Sequence, residues 1–241
     1  MFPSKPCQLS FVIPIYNEAK RLPPSLEKLH GFSKTLKHSY EWIFVVEPSE
    51  DESLQIIENH CKKHENFRYI ANEKQKGKGY AVQTGMLGAR GEWVFFMDAD
   101  LATPLKEIHH FLQQIEEQPE TPIFIASRRL ANSKIFPPAT LVRKLFSICL
   151  NLLVKILGLS QHSDTQCGFK AFHKDSIPIL FRHLYMQGFS FDIEVLIKAK
   201  QHKLACKEVA VEWSAREASS VRLFRDSLQF FQDLIRLRIL Y

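Results

Sequence analysis

The sequence EWVFFMDAD at residues 92–100 is an apolar run that ends in two acids separated by one residue. An apolar run of this kind, rich in aromatic side chains, predicts a buried strand. Two carboxylates at the carboxyl end of a strand can converge on one hard cation, which can also take diphosphate oxygens. Asp98 and Asp100 could otherwise cap a turn before Pro104. A buried strand that ends in two acids needs compensating charge, however, which favours a metal site.

Similar apolar runs recur through the first half of the chain and alternate with helical patterns. We predict strands at residues 9–15, 41–47, 67–71, 92–98 and 122–127, with helices at 18–37, 52–64, 79–89 and 104–117. This alternation is typical of βαβ units and predicts an α/β fold, a mostly parallel sheet flanked by helices. Because such sheets bind ligands beyond the carboxyl ends of their strands, the residues that follow each strand are the candidates for chemistry.

The segment PIYNE at residues 14–18 ends the first predicted strand with a proline and polar side chains. Pro14 ends the hydrogen-bond ladder, and the ring of Tyr16 can stack on a nucleobase. Asn17 and Glu18 can hydrogen-bond a ribose, or they can simply cap the helix that follows.

A glycine-rich segment, KGKGYA, occupies residues 76–81. Its glycines allow close approach to a ligand, and its lysines can meet a phosphate at a helix N-terminus. It lacks the pattern of a Walker loop, and Val82 stands where a dinucleotide fingerprint needs its third glycine. The segment alone therefore indicates an anion without specifying it.

Composition narrows the class of protein without identifying it. The formal charge of +6 comes from Lys and Arg spread along the chain, which leaves nucleic acid, nucleotide and acidic lipid all open as ligands. The five cysteines form no C-x-x-C pair, which argues against a disulfide framework or structural zinc and predicts a reducing, cytosolic compartment. The N-terminal sequence lacks the long apolar stretch of a signal peptide.

Two later stretches, residues 141–159 and 222–241, pair apolar stripes at helical spacing with basic residues. For each stretch alone, a core helix with a solvated face is a better explanation than a helix that lies on a membrane. The presence of two such C-terminal amphipathic helices, both cationic, narrows that preference, and a lipid acceptor would explain both as helices on an anionic membrane surface that neither is long and apolar enough to span. We therefore expect a peripheral or soluble protein.

Together with three motifs of the second half, these segments resemble family 2 glycosyltransferases of the GT-A fold. The motifs are ASR at 126–128, DTQCGFK at 164–170 and FDIE at 191–194. They are similar to the dolichyl-phosphate glucosyltransferase branch and its bacterial polyprenyl-phosphate relatives. The resemblance covers about residues 9–240, and DTQCGFK is its most specific part.

The resemblance implies a donor site made by the first half of the chain. Asp98 and Asp100 would bind Mg²⁺ or Mn²⁺ and the donor diphosphate, with Asp100 counted among the catalytic residues. The nucleotide-sugar ligands would be Pro14, Tyr16, Asn17, Glu18, Glu47, Lys78 and Asp98.

The resemblance also implies an acceptor site. Asp164 and Gln166 would face the sugar and the acceptor. Arg128 and Arg143 are candidates for an acceptor phosphate because guanidinium pairs bidentately with phosphate, although a surface salt bridge would explain each arginine as well. An ionised phosphate needs little base catalysis, so Asp164 would orient the acceptor and act as a base only toward a hydroxyl.

The chain departs from the family at two places. The family has Asp-Asp-Gly-Ser after its second strand, with an acid that reads the nucleobase, whereas residues 46–49 are VEPS. Glu47 is the candidate replacement, and Pro48 stiffens the turn. Residues 218–220 are ASS where relatives have Gly-Ser-Lys, which leaves Arg216 or Arg222 to supply the missing charge.

The implied function is inverting transfer of a hexose, with glucose from UDP-glucose favoured, to dolichyl or undecaprenyl phosphate. It would take place at the cytoplasmic face of a membrane and involve no nucleic acid. We expect one domain over residues 1–241, with a nucleotide-sugar half at about 9–127 and an acceptor half at about 128–241. The alternatives are a soluble glycosyltransferase that acts on a saccharide hydroxyl and a non-catalytic protein that binds nucleotide sugars.

Overall fold

The five apolar runs of the first half form strands of one sheet, as predicted. The computed structural model of the protein describes residues 7–136, 162–214 and 223–241, and residues 152, 154, 155 and 158 in between; side chains of the last helix are described from residue 229. The strands are β1 (Leu9–Ile15), β2 (Tyr40–Val46), β3 (Phe67–Ala71), β4 (Trp93–Met97) and β5 (Ile123–Ser127). Each bound lies within one residue of its prediction.

The four predicted helices also form, but the first and the fourth begin four and three residues later than the sequence suggested. They are α1 (Leu22–Ser33), α2 (Ser53–Cys61), α3 (Lys78–Gly88) and α4 (Glu107–Glu117). The residues before α1 and α4 are held in turns instead, and each of these turns contains a residue in the left-handed region, Asn17 and Leu101, both with φ of 51°. The two turns hold polar side chains at the carboxyl ends of β1 and β4.

The sheet has the strand order β3-β2-β1-β4-β7-β5-β8, and it is mostly parallel. β7 (Phe169–His173) runs antiparallel to both β4 and β5, and β8 (Cys206–Ala210) is parallel to β5. The sequence did not predict these strands, nor the separate parallel pair β6 (Lys134–Phe136) and β9 (Glu212–Ser214). Because β7 is antiparallel to β4, its first residue, Phe169, lies opposite Met97, the last residue of β4.

Three further helices complete the described structure. They are α5 (Ile177–Phe181), which follows a 3₁₀ turn, α6 (Phe191–Gln201) and α7 (Leu223–Leu240). Successive residues of the buried strands point to opposite faces. Accordingly Phe11 packs in one apolar core with α1, α2 and α4, and Val12 packs in the other with α3, α5, α6 and α7.

The helix α7 is amphipathic, as predicted. Phe230, Leu234 and Leu237 are buried in the core, whereas Phe231, Ile235 and Ile239 are 46%, 44% and 79% exposed. None of the helices in the described ranges combines the length and apolar character needed to cross a membrane. Most of the predicted amphipathic helix at 141–159 lies outside the described residues.

Three histidines meet at the ends of α1 and α2, and we predict that they make the fold sensitive to acid. The ring centroids of His30 and His60 each lie 4.5 Å from that of His64. Burial, with help from the charges of His64, His30 and Lys63, lowers the pKa of His60 to about 4. Its Nε2 atom is buried and has no hydrogen-bond partner among the residues that the structure describes.

The unfolded chain takes up this proton near the ordinary histidine pKa of about 6.5, so stability should fall as the pH drops from there toward 4. Urea unfolding at pH 7 and pH 5 measures the effect. His60→Gln should lose less stability between these pH values than the wild type does. The matching change at the exposed His202 should leave the wild-type difference unaltered. Equal losses in wild type and His60→Gln would contradict the prediction.

Candidate active site

The acidic pair lies at the carboxyl end of β4, where the DTQCGFK segment passes directly against it. The backbone N–H of Asp98 donates to the carbonyl of Gly168 at 3.0 Å. A Cβ atom added to Gly168 would lie 1.9 Å from Oδ2 of Asp98, so only glycine permits this approach. The antiparallel strand β7 thus brings the most specific motif of the sequence onto the first acid of the pair.

Asp100 lies in an environment of concentrated negative charge. Burial raises its pKa, and the neighbouring charge of Asp98 raises it further. Burial raises the pKa of Glu18 as well, and the charge of Asp100 raises it further. Arg21 opposes this shift, since its Nη2 donates to Glu18 at 2.6 Å. A cation placed among these acids would therefore be stabilised.

The alternative to a metal site was that the two acids cap the turn before Pro104. Asp100 does this in part, because its Oδ1 accepts a hydrogen bond from the backbone of Ala102 at 3.0 Å. The two carboxylates still supply hard oxygen ligands of the kind that Mg²⁺ and Mn²⁺ prefer. In the part of the chain that the structure describes, no three His, Cys, Asp or Glu side chains are arranged to hold a metal. The acidic pair therefore fits a cation that takes its remaining ligands from elsewhere, as a bound diphosphate would provide.

Lys78, the first residue of α3, forms an ion pair with the acidic site. Its Nζ lies 2.6 Å from Oδ1 of Asp98. Burial acts to lower the pKa of Lys78, but the carboxylates of Asp98 and Asp192 outweigh it and raise this pKa above its ordinary value. The ammonium also lies over the rings of Phe96 and Phe189, at 5.3 and 5.8 Å from their centroids.

Two motif residues form a buried ion pair behind the site. Lys170, only 1% exposed, donates to Asp192 at 2.6 Å and to the carbonyl of Cys167 at 2.7 Å. Burial raises the pKa of Asp192, although Lys170 and Lys78 oppose the shift. This pair joins the DTQCGFK and FDIE motifs and fixes their relative position.

Glu47 holds the loop between β3 and α3 in place through hydrogen bonds. It is buried, its Oε2 accepts the backbone N–H groups of Lys76 at 2.7 Å and Gly77 at 3.1 Å, and its Oε1 accepts the amide of Asn72 at 2.7 Å. Both carboxylate oxygens are therefore used by the protein itself. These contacts make Glu47 the anchor of the loop that leads to Lys78, and its contact with the nucleobase stays a prediction.

The segment after β1 is held against the segment after β2. The backbone of Asn17 donates to Ser49 Oγ at 3.1 Å, and its side-chain oxygen accepts from the backbone of Glu50 at 2.9 Å. Since α1 begins at Leu22 and no side-chain hydrogen bond caps it, capping does not explain Asn17 or Glu18.

Pro14 is half-buried in β1, whereas the ring of Tyr16 is 38% exposed at the edge of the site. This exposure leaves the ring accessible for stacking. The roles of Pro14, Tyr16, Asn17 and Glu18 toward a nucleoside remain predictions.

On the other side of the acidic pair, Asp164 is held by Arg128 in a bidentate ion pair. Arg128 donates through Nε at 2.7 Å, through Nη2 at 3.0 Å and through its backbone N–H at 3.0 Å. Burial acts to raise the pKa of Asp164, but Arg128 outweighs burial and lowers it below its ordinary value. A carboxylate in this state is a poor proton acceptor at neutral pH.

This ion pair bears on the acceptor residues that the sequence suggested. Two donors of the Arg128 guanidinium are directed at Asp164, so its first role is to position that acid, and its contact with an acceptor phosphate remains a prediction. Gln166 is half-buried beside Asp164 and donates its backbone N–H to that carboxylate at 3.3 Å. Arg143 lies outside the described residues, as do Arg216, Arg222 and residues 218–220.

Sequence reasoning missed several residues that shape the site. Glu208 on β8 accepts the backbone N–H groups of Ser163 at 2.9 Å and Asp164 at 3.1 Å, and no local pattern marks it. Lys170, Asp192 and Gly168 lie within the quoted motifs, which indicated their importance without indicating their partners.

Comparison with known proteins agrees with this geometry. The model of Glycosyl transferase family 2 matches residues 10–191. The dolichyl-phosphate beta-glucosyltransferase of Dictyostelium discoideum is 31% identical, with 97% of this chain and 74% of the relative covered. The dolichyl-phosphate beta-glucosyltransferase of Drosophila melanogaster is 33% identical, with 97% and 75% covered.

Among solved structures, the chain resembles glucosyl-3-phosphoglycerate synthase from Mycobacterium tuberculosis in complex with Mn²⁺, UDP-glucose and phosphoglyceric acid. The TM-score is 0.70 at 16% identity, and the match covers 96% of this chain and 80% of that one. The predicted GT-A fold is confirmed by this likeness.

Proposed function

Because the chain belongs to glycosyl transferase family 2, we propose that it transfers glucose from UDP-glucose to a polyprenyl phosphate at a membrane surface, with Mg²⁺ or Mn²⁺ bound. The observation that carries the proposal is the acidic pair at the end of β4, packed against Gly168 of the DTQCGFK segment. The relatives named as dolichyl-phosphate beta-glucosyltransferases align with nearly the whole chain, which supports glucose and a polyprenyl phosphate as the substrates.

The donor half of the site would hold the nucleotide diphosphate. Asp98 and Asp100 would bind the divalent cation, which neutralises the charge that develops on the leaving diphosphate. Lys78 would contact the same phosphates, and the exposed ring of Tyr16 would stack on the base. Glu47 contributes indirectly, because it holds the backbone of residues 76–77 in place.

The acceptor half would orient a phosphate that is already ionised. A phosphate oxygen attacks the anomeric carbon, the bond from that carbon to the diphosphate oxygen breaks, and its electron pair leaves with UDP. This direct displacement inverts the anomeric centre and needs no protein base when the attacking oxygen is already charged. The ion-paired state of Asp164, with its lowered pKa, supports a positioning role.

The donor can be tested by ligand-induced stabilisation, since a ligand that binds only the folded state raises the melting temperature. A panel of nucleotide sugars with Mn²⁺ should give the largest rise with UDP-glucose. Asp100→Asn should abolish most of that rise. A larger rise with another nucleotide sugar would overturn the donor assignment.

The role of Asp164 gives a prediction for the pH dependence of the rate. Asp164→Asn should slow transfer because the acceptor is less well positioned, while the shape of the pH–rate profile stays the same. A phosphate acceptor has a second pKa near 6, so the rate should fall below about pH 6 in both proteins as the phosphate is protonated. If the acceptor were a hydroxyl, the wild type would have an acidic limb from Asp164 that vanishes in the variant, together with a loss of about 10²- to 10⁴-fold.

We also predict peripheral binding to anionic membranes through α7. Phe231, Ile235 and Ile239 form an exposed apolar stripe, and Arg236 and Arg238 are on the same helix. Helices that pair apolar and basic residues in this way lie in the interface of anionic bilayers. The protein should float with vesicles that contain phosphatidylserine at low salt.

Flotation should be largely lost when Ile235 and Ile239 are both changed to Ser. Changing the exposed Leu54 and Leu87 on other helices to Ser is the matched control, and it should leave flotation intact. Equal flotation of the α7 variant and the wild type would place the membrane contact elsewhere.

A further inference from the structure

The ion pair between Lys78 and Asp98 uses an oxygen that a bound metal would need. Lys78 Nζ lies 2.6 Å from Oδ1 of Asp98, while Oδ2 of the same carboxylate faces Gly168. Asp100 already gives its Oδ1 to the backbone of Ala102. A divalent cation that binds without a nucleotide therefore has to share Asp98 with the ammonium group of Lys78. It also has to share Asp100 with the backbone N–H of Ala102.

The lysine cannot easily withdraw from this position. Its side chain is only 23% exposed, its ammonium lies over the rings of Phe96 and Phe189, and the charge of Asp192 also attracts it. A divalent ion and this ammonium together carry more positive charge than Asp98 and Asp100 can balance. Metal binding without a further anion is therefore opposed by like-charge repulsion.

A nucleotide diphosphate would remove that opposition. Lys78 is the first residue of α3, and the dipole of a helix favours an anion at its N-terminus. The diphosphate supplies oxygens for the metal and a negative partner for the ammonium at the same place. The arrangement therefore penalises the metal alone and favours the metal together with the diphosphate.

We propose that Lys78 couples metal binding to donor binding: it holds the acidic pair in a state that takes up Mn²⁺ weakly until the nucleotide diphosphate arrives. The inference rests on the proposed donor, and it assigns Lys78 a role in the order of binding in addition to a phosphate contact. By linkage, the diphosphate should raise the affinity for Mn²⁺ by the same factor as Mn²⁺ raises the affinity for the diphosphate.

The test is calorimetric titration with Mn²⁺, with and without saturating UDP, on wild type and Lys78→Met. Methionine keeps an unbranched apolar stem against the two rings and removes the charge. In the absence of UDP, we expect Lys78→Met to bind Mn²⁺ about tenfold more tightly than wild type does. The factor by which UDP increases the affinity for Mn²⁺ should be about tenfold smaller in Lys78→Met than in wild type. Lys174→Met is the matched control, because Lys174 is exposed and follows the end of β7 that lies away from Asp98, and it should behave as wild type.

Lys78→Arg keeps the charge and should preserve the enhancement by UDP, which separates a charge effect from a loss of packing. Melting curves check that each variant is folded, and Lys78→Gln replaces Lys78→Met if the latter is not. Mn²⁺ binding to the neutral variant that is no tighter than to wild type overturns the inference. That criterion needs no UDP, so a failure of UDP to bind would refute the donor assignment separately.

Discussion

Replacing Asp100 by asparagine should reduce kcat/KM for sugar transfer by about 10²- to 10³-fold, the size of effect seen when one group that stabilises developing charge is removed. The change removes one of the two acids at the end of β4 and leaves the diphosphate with a weakly held cation. It should not unfold the protein. Burial and Asp98 raise the pKa of Asp100, so the ionised side chain is destabilised in the folded state and a neutral asparagine removes that destabilisation.

Kinetics with a range of Mn²⁺ concentrations would show whether added metal restores part of the rate, as expected if metal affinity is what is lost. Asp175→Asn is the matched control, since its side chain is 80% exposed on the opposite end of β7. The control should retain wild-type kinetics. Full wild-type activity in EDTA would refute the metal assignment.

Gly168→Ala should be nearly as damaging, because the added methyl group would lie 1.9 Å from Oδ2 of Asp98. Either the acid or the start of β7 must move, and both belong to the site. We expect a loss of at least about 10²-fold in kcat/KM and a cost in stability of about 1–3 kcal/mol, the usual range for overpacking. Activity assays and urea unfolding measure the two effects.

Gly188→Ala provides the control, since a Cβ atom at Gly188 would meet no atom within 4 Å. A double-mutant cycle adds a sharper check. The stability cost of Gly168→Ala should shrink in an Asp98→Ala background, because the clash is with that side chain. An unchanged cost would show that the glycine is needed for another reason.

The first half of the fold could be predicted because its strands are almost wholly apolar. Both faces of β1, β2 and β4 are covered by helices, so their sequences read as continuous runs such as VFF at 94–96. The later strands gave no such signal. β7 has Lys170 as its second residue, and the charge of this lysine is compensated by Asp192, 22 residues further along the chain.

The candidate site was predicted in its location but not in its internal contacts. Motif position predicted that Asp98 and Asp100 follow the fourth strand, which they do, whereas the roles of both acids and of Asp164 stay predictions. Motif position could not indicate that Arg128 would form an ion pair with Asp164, or that Glu47 would accept a hydrogen bond from the backbone of Lys76. Such pairings depend on which strands become neighbours, and the antiparallel insertion of β7 between β4 and β5 was not predicted from the sequence.

The polar groups that surround Asp164 argue most strongly for a phosphate acceptor. Arg128 and the backbone N–H groups of residues 128 and 166 all donate to its carboxylate. Glu208 in turn fixes the backbone of Asp164 from β8. An acid held this firmly in its charged form is suited to orienting a neighbouring group and poorly suited to removing a proton.

The proposed acceptor is tested most directly by following radiolabelled glucose from UDP-glucose, with Mn²⁺, into a mixture of polyprenyl phosphate, polyprenol and free oligosaccharide. We expect label in the lipid phosphate alone, as a glucosyl phosphodiester that wild type forms and Asp100→Asn does not. Label in the polyprenol or the oligosaccharide, or no transfer to any acceptor by folded wild type that binds UDP-glucose, would contradict it.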